Sequence, residues 1–257
     1  MKRIRGLLIL LVVGLCFYSV PAQAIPVTTE LLLLVDSSGS IEASEYDLQK
    51  SGYVAAFQSA AIHTILDGLA PNGGIAVAYA EWSNPTSQLL RVGWTQLTDA
   101  ASANAFATSI DVLARTLAGS TAPGSAINWA VKGGVGDLNP NFFNNAFDGN
   151  RLVIDVSGDG AQNAGASTTA ARDLAHSLGV IINGLPIETD GVETFYINSV
   201  ITPGAFTVLA EDFPDFEQAV NDKIKREIQL VPEPATMLLL GSGLLGLGVF
   251  ARRRFRK

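Results

Sequence analysis

The stretch Leu31-Leu32-Leu33-Leu34-Val35-Asp36-Ser37-Ser38-Gly39-Ser40 decides the fold. Five apolar residues without a polar break read as a strand covered on both faces, as in a parallel sheet. A carboxylate and alternate hydroxyls follow at once, where the chain leaves the strand.

Outward from that strand, helical and strand patterns alternate. Ser44 to Leu69 has helical spacing, with Tyr46, Val54, Phe57, Ala61, Ile65 and Leu69 apolar and Ser44 as cap. Pro71-Asn72-Gly73-Gly74 is a turn. Ile75–Trp82 and Gln88–Trp94 read as strands, and the short link Ser83–Ser87 makes them antiparallel. Helices are predicted over Ala100–Leu117 and Gly124–Val135, followed by an Asn-rich loop, Asn139–Asn150. Then come a second buried strand, Arg151–Val156, a helix, Ala166–Leu178, and a strand, Val180–Leu185. Phe206–Leu209 offers one more strand, and Phe213–Ile228 a closing helix. The pattern predicts an α/β fold: a doubly wound, mostly parallel sheet with one antiparallel edge strand and helices on both faces.

The two ends read as addresses. Lys2, Arg3 and Arg5 precede an apolar run from Gly6 to Tyr18, and Ala22-Gln23-Ala24 supplies the small residues of a cleavage site. That is the layout of a secretory signal peptide, residues 1–24, with signal peptidase as processing partner. The single cysteine, Cys16, lies inside it, so the mature chain needs no disulfide. At the other end, Pro232-Glu233-Pro234 precedes an apolar stretch, about 235–251, and then Arg252, Arg253, Arg254, Arg256 and Lys257. Seventeen residues from Ala235 to Ala251 span roughly 25 Å as a helix, just enough to cross a bilayer core with the basic end cytoplasmic. This order, over residues 230–257, resembles the PEP-CTERM sorting signal of Gram-negative bacteria. The resemblance implies export through the inner membrane, a membrane-anchored stage, and recognition by an exosortase-type transpeptidase in the cell envelope or extracellular matrix. Gly241-Ser242-Gly243-Leu244-Leu245-Gly246 matches the dinucleotide pattern but lies in this apolar tail, without a strand–turn–helix unit, and is set aside.

The ends also distort the averages. The 257 residues are 48% hydrophobic and 16% charged, with net charge -7 and mean hydropathy +0.29. Residues 25–231, however, carry 9 Lys and Arg against 23 Asp and Glu, a net charge of -14. Such a surface favours a cation and disfavours nucleic acid.

Ligands of open α/β sheets bind beyond the carboxyl ends of the strands. The first strand is followed there by Asp36, Ser38 and Ser40, and the strand Arg151–Val156 by Ser157-Gly158-Asp159-Gly160, where the two glycines around the carboxylate let the backbone turn. Between them Gly119-Ser120-Thr121-Ala122-Pro123-Gly124 leads into a helix. Two carboxylates and three hydroxyls form an oxygen-only set, suited to Mg²⁺ or Mn²⁺ rather than zinc. The arrangement Asp36-x-Ser38-x-Ser40, a Thr three residues before Gly-x-Ala-Ile, and a strand running into Asp159-Gly160 resembles the von Willebrand factor A (vWA) domain. The likeness covers roughly residues 28–229, within the predicted domain 25–229, and strings such as Ile154-Asp155-Val156-Ser157-Gly158-Asp159-Gly160 and Asn183-Gly184-Leu185-Pro186-Ile187 are similar to a bacterial subfamily of uncharacterised function.

That resemblance implies a metal-ion-dependent adhesion site. Ser38, Ser40 and Thr121 would touch the metal, and Asp36 and Asp159 would bind directly or through water. Gly39, Gly124, Gly160 and Asp155 would support the loops. Asp155, in an otherwise apolar strand, needs a buried partner or a place beside the site. The cation would keep one position for a Glu or Asp carboxylate of a partner protein. Pro123 stands where the family more often has a second Thr. The function expected is an exported, envelope-associated binding module. A matrix component with a structural ion is the alternative, and a metal-dependent hydrolase a remote one: no G-x-S-x-G elbow and no motif-placed His–Ser pair point to an enzyme.

Overall fold

All eight residues of Thr29–Asp36 (β2) are buried, as are the eight of Ile75–Trp82 (β3). The computed structural model describes residues 24–132, 140, 142–187 and 191–229. Side chains alternate across a strand, so the continuous apolar run is explained only by cover on both faces. Leu31, Leu33 and Val35 join one core, Leu32 and Leu34 the other.

The main sheet has five strands in the order β4-β3-β2-β6-β7, with β4 Gln88–Leu97, β6 Leu152–Gly158 and β7 Val180–Pro186. β2 pairs in parallel with β3 and β6, and β6 with β7; only β3 and β4 are antiparallel. The fold is therefore the mostly parallel, doubly wound sheet with an antiparallel edge that the pattern predicts. Helices α1 (Ala43–Gln58), α2 (Ala60–Leu69), α3 (Ala100–Asp111) and α7 (Phe216–Ile228) cover one face, with Tyr53, Phe57, Leu66, Phe106 and Phe216 in its core. Helices α4 (Pro123–Lys132) and α5 (Thr168–Ser177) cover the other, with α6 (Val192–Phe195) running into a π-helical turn, Tyr196–Val200.

Several boundaries differ from the sequence reading. The helix predicted over Ser44–Leu69 is two helices, because Ser59 is extended and its Oγ accepts from Ile62 N. Its start is capped by Glu42, reciprocally with Glu45, rather than by Ser44. The helix predicted to reach Leu117 ends at Asp111. Lys50 Nζ then donates to the Leu113 carbonyl and an Arg91 nitrogen to the Ala114 carbonyl, so side chains rather than helical amides satisfy these groups. Phe206–Leu209 forms no strand; Thr207 and the following Ala210 make isolated bridges with Gly184 and Ile187. A small parallel pair, β1 (Ile25–Val27) with β5 (Phe147–Gly149), was not predicted. The signal peptide, the end of the helix predicted to Val135 and the span at 235–251 lie outside the described residues. Among the described residues, no helix is long and apolar enough to cross a membrane.

Candidate functional site

Asp36 is the last residue of β2, one position beyond the Val35–Ser157 pair with β6. That register sets it beside Gly158, the last residue of β6, so the chain after each strand departs from the same edge. The loop after β2 is pinned at once. Asp36 Oδ1 accepts from Ser38 N at 2.7 Å, and Ser37 N donates to the Trp82 carbonyl at 2.8 Å.

The five predicted oxygens come together. Ser38 Oγ lies 3.2 Å from Ser40 Oγ, and Ser40 Oγ donates to Asp159 Oδ1 at 2.8 Å. Thr121 Oγ1 donates to Ser38 Oγ at 3.5 Å. The loops are also tied through backbone: Gly39 N donates to the Gly119 carbonyl at 2.7 Å. Three segments far apart in sequence thus meet beyond the carboxyl ends of β2 and β6, where the α/β topology places ligands.

One oxygen of this set is left over. Asp36 Oδ2 is buried and has no hydrogen-bond partner, although Asp36 is fully inaccessible. Burial pushes the Asp36 carboxyl up to about 8, against the Ser38 N–H that favours its charged form. Asp159 is also raised, chiefly by burial, with the bond from Ser40 opposing. Beside Asp36 Oδ2 lies a second orphan, the buried hydroxyl of Tyr196. Both crowd Gly158: a Cβ there would stand 2.7 Å from Asp36 Oδ2 and 2.9 Å from Tyr196 OH. Gly158 is thus a glycine this site requires for space, whereas the sequence offers it only as one of the two turn glycines that flank Asp159.

The supporting glycines divide. A Cβ on Gly39 would stand 3.0 Å from the Gly119 carbonyl oxygen, and one on Gly124 would stand 2.2 Å from that of Ala166. Gly160 meets only Thr121, at ordinary contact distance, so space does not demand a glycine there. Asp155 has a partner away from the site: Lys223 Nζ of α7 lies 2.5 Å from its Oδ1 and 2.6 Å from Glu227 Oε1, all three side chains fully buried. Asn183 Nδ2 donates to the same Glu227 oxygen at 3.0 Å.

Other residues at the site escaped sequence reasoning. Arg115 donates to the Ser38 carbonyl at 2.7 Å. Asn163, four residues after Asp159, bonds to Thr121 through both backbone and side chain. An isolated Arg and an Asn in a Gly/Ala-rich loop carry no motif, and only the loop geometry reveals them. Among the described residues, no three His, Cys, Asp or Glu side chains gather as a metal centre. The oxygen set depends on hydroxyls. His63 Nε2 is engaged with the Phe57 carbonyl, and His176 sits in the last turn of α5.

Comparison with known proteins adds three findings. A family model described as "Protein of unknown function (DUF1194)" matches residues 26–232, and one described as "PEP-CTERM protein-sorting motif" matches residues 230–254. No curated protein matches the chain. Among solved structures, the chain is similar to proximal thread matrix protein 1 from the mussel byssus, with 18% identity and a TM-score of 0.56 over 80% of this chain and 47% of that one. It is similar to the same mussel protein "with zinc occupied MIDAS motif", with 18% identity and a TM-score of 0.55 at the same coverages. It also resembles a von Willebrand factor type A structure from Catenulispora acidiphila, with 10% identity and a TM-score of 0.53 over 79% of this chain and 43% of that one. This chain spans less than half of each of those chains. At such identities the likeness is one of fold, and the fold is that of vWA domains.

Proposed function

This chain belongs to the DUF1194 family of proteins of unknown function, and we propose that it is an exported, envelope-associated binding module. It captures an acidic group of a partner protein through a divalent cation, Mg²⁺ or Mn²⁺. The observation that carries this reading is the convergence of Asp36, Ser38, Ser40, Thr121 and Asp159, with Asp36 Oδ2 buried and unpartnered. A buried carboxylate oxygen without a donor is costly, and a cation would supply the missing partner. Ser38, Ser40 and Thr121 would hold the ion directly, and Asp36 and Asp159 directly or through water.

The donor chemistry fits a hard cation. Two carboxylates against a divalent ion leave it able to take a further anionic oxygen. The zinc-occupied MIDAS motif of the similar mussel protein supports a divalent ion on this fold, without choosing the ion for this chain. The PEP-CTERM match supports export and processing by an exosortase-type enzyme. The net charge of -14 over residues 25–231 opposes nucleic acid as the partner.

Calorimetric titration of the full chain, purified in mild detergent, with Mg²⁺ tests the site. Heat of binding is expected for the wild type and not for Asp159→Ala; equal heats sink the metal site. A partner recovered from envelope extract with Mg²⁺, and lost with chelator or in Ser38→Ala, tests the capture. Loss of melting temperature on chelation without any metal-dependent partner would favour a matrix component with a structural ion.

A further inference from the structure

Asn163 is joined to Thr121 by three hydrogen bonds. Asn163 N donates to the Thr121 carbonyl at 3.0 Å, Thr121 N donates to Asn163 Oδ1 at 2.9 Å, and Asn163 Nδ2 donates to Thr121 Oγ1 at 3.4 Å. The second bond fixes the amide. Its acceptor oxygen must face the Thr121 backbone, so its NH₂, a donor only, must face the hydroxyl. The loop that carries Asn163 is itself held. Gln162 Nε2 donates to the Ala166 carbonyl at 2.7 Å, and Gln162 Oε1 accepts from Thr168 N and Oγ1 at the start of α5. Asn163 therefore presents its amide from an anchored loop although its side chain is at the surface.

We propose that Asn163 is a positioning and charge-setting residue of the oxygen site, an inference that rests on the cation-bridging reading above. Its amide holds the Thr121 hydroxyl against the Ser38–Ser40–Asp159 set. It does so without charge, so the set keeps two carboxylates and a divalent ion stays able to attract an anionic ligand. A carboxylate in its place would keep the acceptor for Thr121 N but turn a negative oxygen toward the hydroxyl. That would bind the ion more tightly and cancel the attraction left for the ligand's carboxylate.

The test uses the full chain in mild detergent, with Mn²⁺ alone as probe and with amide hydrogen exchange of Thr121 measured in chelator. Asn163→Ala is expected to weaken Mn²⁺ binding about tenfold, the usual cost of losing a group that orients a metal ligand. It should also speed Thr121 amide exchange with no metal present. Asn163→Asp is expected to retain the slow exchange and to bind Mn²⁺ several-fold more tightly than the wild type, a gain that a merely structural role does not produce. Unchanged Thr121 exchange in Asn163→Ala overturns the clamp. Mn²⁺ affinity in Asn163→Asp at or below that of the wild type overturns the charge-setting role. A wild-type chain that binds no Mn²⁺ overturns the functional reading together with the charge-setting role. The exchange measurement still decides the clamp by itself.

Discussion

At the scale of single residues, the site depends on an absence. Gly158 leaves room for Asp36 Oδ2 and Tyr196 OH, both buried and unpartnered. Gly158→Ala should displace the Asp36 carboxylate, weaken Mg²⁺ binding at least about tenfold and cost about 1–3 kcal/mol of stability by overpacking. Calorimetry and urea unfolding read the two effects separately. The buried trio Asp155, Lys223 and Glu227 behaves differently. Lys223→Met leaves two carboxylates in the core without a counter-ion and should cost about 3–5 kcal/mol in urea unfolding. Burial, with the neighbouring Asp155 charge, pushes the Glu227 carboxyl up to about 7, against the opposing pull of Lys223. The folded state therefore holds a proton that the unfolded chain has lost between about pH 4.5 and 7, and stability should fall as pH rises through that window. Glu227→Gln should make that slope shallower and leave the part owed to Asp36, whose carboxyl burial also raises, which melting curves across pH will check.

At the scale of elements, the departures from sequence expectation have local causes. The helical spacing of 44–69 continues through Ser59, but a serine hydroxyl can cap the next helix as well as sit in the first. The apolar period says nothing about which it does. Helix α3 stops six residues short of Leu117 because its expected last turn is claimed by cations of other elements. Helix α4 starts against the loop before α5 so closely that the Gly124 position meets the Ala166 carbonyl. Gly124→Ala should push the two apart and destabilise the fold by about 1–3 kcal/mol. It should also shift Thr121, three residues before it, and so lower Mg²⁺ affinity. Both effects are measurable by urea unfolding and calorimetry.

At the scale of the whole molecule, the alternation of buried strands with helices and the residues of the three-loop oxygen cluster were legible in the sequence, while the strand order in the sheet was not. Unbroken apolar runs betray a sheet covered on both faces, and Asp36, Ser38, Ser40, Thr121 and Asp159 follow or precede such elements in recognisable strings. The last described helix, α7, ends at Ile228, next to the sorting motif that starts at 230. A chain ending after Gln229 should therefore melt at the temperature of the full chain. It should also leave the membrane fraction that the longer chain enters. Differential scanning calorimetry and membrane fractionation of cells carrying each form test the two halves of that expectation.

The α/β class, the antiparallel edge and the C-terminal sorting signal could be read directly from the chain, as could the residue types of the oxygen set, because these reside in local periodicity and short strings. Which polar groups stand alone and which are paired emerged with the fold. Asp155 could be read as a helper of the site until the fold brought Lys223 of α7 to it, 68 positions along the chain. Asn163 carried no signal until its loop folded back on Thr121. Gly158 read only as a turn glycine beside Asp159 until the fold set Asp36 and Tyr196 against it. Pairing of buried charges and the space left by a missing side chain are long-range properties. They depend on which distant segment arrives, and no local pattern encodes that arrival.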